Sequence, residues 1–146
     1  MPTAAKLVAA LAFAALGWLG AWAFKPLMPS ETQWGYFQPI CAALGLLVGW
    51  GFTGARAGRG YGAALGSGLT GATVLVVAAL FVFSVREMLL RSMTFRYGGP
   101  LEAVVAVFAI MLDHAALMGD ALFLSVLVAG GLVAGLMTEA ASRLWR

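Results

Sequence analysis

Long uncharged stretches alternate with short polar segments along this chain. Four of the stretches are close to the length of about 20 residues that an α-helix needs to cross the roughly 30 Å hydrocarbon core of a bilayer. We therefore predict an all-α integral membrane protein that forms a single domain, 1–146. The predicted transmembrane helices cover about residues 7–25, 36–54, 61–85 and 120–138.

The first uncharged stretch also has features of a secretory signal peptide. Lys6 precedes it, and Ala21-Trp22-Ala23 resembles a small-residue cleavage site. The apolar run from Leu7 to Phe24 is, however, long for the hydrophobic region of a signal peptide. We therefore interpret this stretch as the first span.

The stretch 101–118 has two interpretations. Its uncharged part, from Ala103 to Leu112, covers about ten residues or roughly 15 Å as a helix, half of the hydrocarbon core. That length favours an interfacial or re-entrant helix and a total of four spans. A fifth full crossing would bring Glu102, Asp113 and His114 into or near the lipid, where such side chains are costly.

The distribution of Lys and Arg, which are enriched in cytoplasmic loops, mildly favours five spans instead. With four spans the side of the termini carries Lys6, Arg56, Arg59, Arg143 and Arg146, against Lys25, Arg86, Arg91 and Arg96 on the other. With five spans, the C-terminal side would carry Lys25, Arg86, Arg91, Arg96, Arg143 and Arg146. Both alternatives place the C-terminus in the cytoplasm, and they differ in the side of the N-terminus.

Small residues recur every four positions in several of the predicted spans, including three GxxxG patterns. Such rows let helix backbones approach closely in lipid, where no hydrophobic force brings helices together. The third span has several rows, which predicts that it lies centrally among the helices. The glycines that we expect at helix contacts are Gly45, Gly49, Gly62, Gly66, Gly131 and Gly135.

The composition agrees with a membrane protein. Hydrophobic residues make up 62% of the chain and charged residues 10%, whereas a soluble domain has about half and a quarter. The net charge of +3 rests on few residues, so we expect membrane lipids and not nucleic acid as partners. The single cysteine, Cys41, can form no internal disulfide.

The sequence contains no pattern of a catalytic or metal centre, so we expect no enzyme activity, cofactor or metal. Arg56 and Arg59 could present guanidinium and backbone N–H groups to an oxyanion or a lipid phosphate. The alternative is an ordinary basic loop beside headgroups. Glu102, Asp113 and His114 could form a proton-binding group at the membrane boundary, or could simply cap and solvate a short helix.

Several short motifs resemble those of one family of membrane proteins. They are MPTAAKL (1–7), KPL (25–27), RAGRGY (56–61), LTG (69–71), AGLMTE (134–139) and RLWR (143–146). In these and in its length the chain resembles the TrgA-type family of small membrane proteins associated with tellurite resistance in photosynthetic and related alphaproteobacteria. The resemblance covers nearly the whole chain. It implies a bacterial inner-membrane location and a connection with tellurite, and it supplies no catalytic residues.

Two functional hypotheses follow. In the first, the chain is a non-enzymatic protein that acts on tellurite, or on the membrane stress that tellurite causes, with Arg56 and Arg59 as oxyanion contacts. In the second, it is an accessory or structural subunit whose Gly/Ala faces dock to a larger respiratory or photosynthetic complex, or to a second copy. The many small-residue faces favour the second, and the short spans offer no obvious path for a dianion.

Overall fold

The computed structural model describes residues 2–27, 37–93, 98–117 and 119–145. In these ranges the chain forms the helices α1 (Pro2–Phe24), α2 (Phe37–Val48), α3 (Tyr61–Ser92), α4 (Pro100–Leu117) and α5 (Ala121–Leu144). A π turn, Gly49–Thr53, and a 3-10 turn, Gly54–Arg56, extend α2. Helices α1, α3 and α5 and the extended α2 are long and apolar enough to cross a membrane. The structure thus confirms the all-α membrane fold.

Local signals set the ends of α4 and α5. Pro100 begins α4, where the N–H that proline lacks would have no partner within the helix. Glu102 reaches back to accept a hydrogen bond from the backbone N–H of Gly98 at 2.7 Å. Asp120 caps α5, because its carboxylate accepts hydrogen bonds from the first free N–H groups of that helix.

Close contacts give the directions of the four long helices. Along α1 and the extended α2, the facing residues are Lys6 with Gly54, Ala9 with Gly49, Phe13 with Gly45 and Gly17 with Cys41. Between α3 and α5, Ala64 faces Gly135 and Gly68 faces Gly131; between α1 and α5, Leu16 faces Gly130 and Phe24 contacts Phe123. In each of these pairs the residue numbers rise along one helix as they fall along its neighbour, so the two helices are antiparallel. Helices α1 and α3 therefore run one way, and α2 and α5 run the other.

The bundle has two ends. We call one the loop end; it holds the start of α1, the loop 56–60 and the end of α5. We call the other the histidine end; it holds the end of α1, the start of α2, the end of α3, His114 and the start of α5. The chain between α3 and α5 begins and ends at the histidine end, so α4 adds no net crossing. This is the four-span arrangement that segment length favoured.

The most buried of the long helices is α1, so the prediction that α3 is the central helix is wrong, although α3 does pack against more than one neighbour, α4 and α5. In the part of α1 that could cross the membrane, 50% of the residues are buried, against 28% in each of the other three. Helix α1 packs against both α2 and α5, and its Phe13 has no exposed surface. The prediction failed because some of the small-residue rows on α3 face outward.

The glycine rows are of two kinds. A Cβ added at Gly45, Gly49 or Gly135 would collide with a backbone carbonyl oxygen of the neighbouring helix, and one at Gly131 would lie 3.0 Å from the Gly68 carbonyl oxygen. The glycines in these rows therefore permit a contact between helix backbones that larger residues would prevent. Gly62 and Gly66 differ, since a Cβ there would meet no described atom within 4 Å. Their predicted helix contacts are absent from the described chain.

Candidate functional site

The loop end contains a contact between a carboxylate and the loop 56–60. Gly58 and Gly60 have φ angles of 90° and 103°, which glycine adopts far more readily than other residues do. In this conformation both glycines donate hydrogen bonds to Glu139 of α5. The N–H of Gly58 lies 2.8 Å from Oε2, and that of Gly60 lies 3.1 Å from Oε1. Glu139 thus closes the loop against the end of α5.

Arg143 completes the surroundings of this carboxylate. It lies one turn after Glu139, and its Nε donates to Oε1 at 3.1 Å. The Arg143 guanidinium also lies over the ring of Tyr61, 4.5 Å from the ring centre. The Glu139 side chain is 2% exposed, whereas that of Arg143 is half exposed. Both oxygens of Glu139 have partners, which burial of a charged group requires.

The structure changes the interpretation of Arg56 and Arg59. The loop N–H groups that could have faced an oxyanion or a lipid phosphate, those of Gly58 and Gly60, are occupied by Glu139. Arg56 turns back along the chain, where it donates to the Phe52 carbonyl at 3.2 Å and covers the Phe52 ring. Arg59 lies between the two glycines and is exposed. An external anion can therefore reach guanidinium groups at this site, but not those two backbone N–H groups.

Glu102, Asp113 and His114 do not form one group. Glu102 caps the start of α4, and Asp113 is exposed near its end. The two are eleven positions apart, which is roughly 16 Å along a helix. His114 instead approaches Glu87 of α3, with 3.7 Å between Nε2 and Oε2. The predicted three-residue cluster is therefore replaced by a pair that connects α4 to α3.

The surroundings of His114 indicate which ring nitrogen donates. Its Nδ1 lies 2.8 Å from the Ile110 carbonyl oxygen, which can only accept, so Nδ1 carries a proton. Its Nε2 then faces the Glu87 carboxylate. The Phe24 ring of α1 lies beside the imidazole, with 6.3 Å between the two ring centres. In the described ranges, no three His, Cys, Asp or Glu side chains are placed to hold a metal ion.

Comparison of the chain with protein family models, curated proteins and solved structures found no match. The resemblance to the TrgA-type family accordingly stays a prediction from sequence motifs. Three of those motifs are neighbours in space. RAGRGY supplies Gly58, Gly60 and Tyr61, AGLMTE supplies Glu139, and RLWR supplies Arg143. Three of the motifs behind the resemblance thus meet at the loop end.

Proposed function

We propose that this protein is a non-enzymatic structural subunit that assembles in the membrane through the outward face of α3. The observation that carries the proposal is the open space beside Gly62 and Gly66. Glycine in a helix interior destabilises it by about 1 kcal/mol relative to alanine. Gly66 lies in the interior of α3 and Gly62 in its first turn, and neither makes a compensating contact within the described chain. We infer that the contact they permit is with another helix.

The outward face of α3 consists of exposed positions along one side of the helix: Gly62, Gly66, Thr70, Thr73 and Val77. The hydroxyl groups of Thr70 and Thr73 donate to carbonyl oxygens one turn earlier, those of Gly66 and Leu69. They therefore present no unsatisfied donor to lipid. The face is about 22 Å long at 1.5 Å per residue, which is most of the hydrocarbon thickness.

The proposed partner is a second copy of the chain. The bundle itself shows how such rows are used, because Gly68 on α3 faces Gly131 on α5 with backbone in contact. A row of small residues can approach a neighbour closely when the neighbour also presents small residues. In a two-fold symmetric dimer, the same face of α3 supplies both sides of the contact.

We propose that the connection with tellurite implied by the resemblance is indirect. Glu139 is the one charged side chain that is buried among the described residues, and it lies at the loop end. Between the two ends, a dianion would meet no buried cation to offset its desolvation. Direct contact of tellurite with the loop would in addition compete with Glu139 for the N–H groups of Gly58 and Gly60.

Gly66→Ile is expected to convert a dimer into a monomer. A branched side chain on the outward face would hold the two α3 helices apart and remove their backbone contact. The mass of the particle, measured by native mass spectrometry in mild detergent, should fall from twice the chain mass of 15.2 kDa to that mass. The matched control is Ala129→Ile, which places the same side chain at an exposed position of α5 and should leave the dimer intact.

Two outcomes would contradict the proposal. A monomeric wild-type protein, both in detergent and after cross-linking in native membranes, would show that the α3 face has no second copy against it. A particle that contains one copy of this chain with a different membrane protein would favour an accessory subunit of a larger complex. In that case Gly66→Ile should release the chain from that complex.

A further inference from the structure

The accessible charge at the loop end is positive. The described basic side chains there are Lys6, Arg56, Arg59 and Arg143, and none of them is buried. The acidic side chain described at this end, Glu139, is buried and bound. The other described acidic residues belong to the end of α3, to α4 or to the start of α5: Glu87, Glu102, Asp113 and Asp120. The histidine end holds basic side chains as well, such as Lys25 and Arg86, but there they lie together with these carboxylates.

Aromatic side chains place the loop end at the depth of the lipid headgroups. Trp50, Tyr61 and Trp145 lie near this end and are each about half exposed, at 44%, 46% and 57%. Trp and Tyr are enriched at membrane–water interfaces, where the ring meets apolar groups and the polar atom meets water. The positive side chains beside them therefore lie at the level of lipid phosphates.

We propose that the loop end binds the phosphate group of an anionic phospholipid, with Arg59 and Arg143 as the contacts and Glu139 as the residue that positions them. Glu139 joins Gly58 and Gly60, which flank Arg59, to the turn of α5 that carries Arg143. This one carboxylate therefore fixes the Arg143 guanidinium and the backbone on both sides of Arg59. Fixing these groups before the lipid arrives lowers the entropy cost of binding.

The donors of both arginines suit a phosphate. In the described contacts Arg143 uses only its Nε for Glu139, which leaves its two terminal nitrogens for another acceptor. Arg59 is exposed, and among the described residues no acceptor is bound to its guanidinium. The planar guanidinium donates two parallel hydrogen bonds to a phosphate. The proposed site is independent of the outward face of α3 and does not require a dimer.

Native mass spectrometry of the full-length protein can test the site, with phosphatidylglycerol and phosphatidylcholine of the same acyl chains as probes. We expect phosphatidylglycerol to be retained in preference. Arg59→Ala should lower its affinity about fivefold, the contribution of one basic residue at a charged membrane surface, with no change for phosphatidylcholine. The matched control is Arg86→Ala, an exposed arginine of the histidine end, which should have no effect on phosphatidylglycerol.

Glu139→Gln separates positioning from simple electrostatic attraction. The substitution removes a negative charge, so an unstructured positive surface would bind phosphatidylglycerol more tightly. If Glu139 positions the arginines, affinity should instead fall at least twofold, because a neutral amide holds the N–H groups and Arg143 less strongly. A rise in affinity would overturn the positioning role of Glu139.

Further outcomes would overturn the lipid site itself. Equal losses in Arg59→Ala and Arg86→Ala would mean that only overall charge matters. Equal affinity for the two lipids in the wild-type protein would remove the preference for an anionic headgroup. Inorganic phosphate that displaces phosphatidylglycerol at millimolar concentration, and that binds to the protein without lipid, would assign the site to a free oxyanion. Because Arg59 is exposed and does not touch Glu139 in the described contacts, its substitution should leave the fold intact.

Discussion

Gly135→Leu is expected to abolish the packing of α5 on α3. A Cβ at this position would collide with the Ala64 carbonyl oxygen and lie 3.1 Å from the Gly68 Cα. Both are backbone atoms of a neighbouring helix, so no side-chain rotation relieves the overlap. Overpacking of a core costs about 1–3 kcal/mol even where side chains can adjust, and we expect at least the upper value here. That is a large part of the roughly 5–15 kcal/mol that stabilises a typical folded protein.

Unfolding in detergent by heat or by denaturant measures this effect, with Gly66→Leu as the matched control. Gly66 has a similar setting in the sequence but open space beside it. At a protein concentration where the chain is monomeric, Gly66→Leu should therefore unfold at the wild-type midpoint or slightly above it, because leucine favours a helix more than glycine does. Equal midpoints for Gly135→Leu and the wild-type protein would show that α3 and α5 are not in backbone contact.

Glu139→Ala is expected to destabilise the protein by about 2 kcal/mol and to loosen the loop 56–60. Hydrogen bonds to charged groups contribute about 1.5–3 kcal/mol each, but water can reach the exposed loop and replace part of what is lost. Amide hydrogen exchange at Gly58 and Gly60 should rise, because these N–H groups lose their acceptor. Formate or acetate should restore stability to this variant by filling the space of the missing carboxylate.

The control for this experiment is Glu102→Ala. Glu102 also accepts a backbone hydrogen bond, from Gly98, but at an exposed helix start, where the loss of a cap costs about 1 kcal/mol or less. The two carboxylates thus differ in burial and in number of partners. Equal destabilisation by the two substitutions, together with no response to formate, would contradict a structural role of Glu139 in closing the loop.

The sequence was sufficient to predict the fold class and the number of helices that are long and apolar enough to cross a membrane. The length of an uncharged run is compared directly with the thickness of the hydrocarbon core, and this comparison needs no knowledge of tertiary contacts. The same reasoning favoured four spans over five, since ten uncharged residues between Ala103 and Leu112 are too few to cross. In the structure, the chain leaves α3 and enters α5 at the same end of the bundle, so α4 adds no net crossing.

The sequence could not show which glycine rows are internal. Gly62 with Gly66 and Gly131 with Gly135 have the same spacing, yet only the second pair contacts another helix of the described chain. A row of small residues permits close approach, but it does not specify the chain that approaches. Gly17 was missed for the related reason that its partner, the backbone of Cys41, has no signature in the sequence.

The role of Glu139 was equally hidden. Its spacing of four from Arg143 indicates an ion pair on one helix face, and that signal was available. Its hydrogen bonds to Gly58 and Gly60, however, join positions that are 81 and 79 residues apart. Likewise, the partner of His114 is Glu87 on another helix and not its neighbour Asp113. Local patterns identified candidate groups, and only tertiary contacts show which groups meet.

The proposed lipid site requires a four-span topology. In this topology the start of α1, the loop 56–60 and the end of α5 share one side of the membrane, which we predict to be the cytoplasm. Reporters that are active only in the cytoplasm, fused separately before Met1 and after Arg146, test this directly. Both fusions should be active. An inactive N-terminal fusion beside an active C-terminal one would require an odd number of crossings. With five spans, Lys6 and Arg59 would lie on the opposite side of the membrane from Arg143, which would contradict the proposed lipid site.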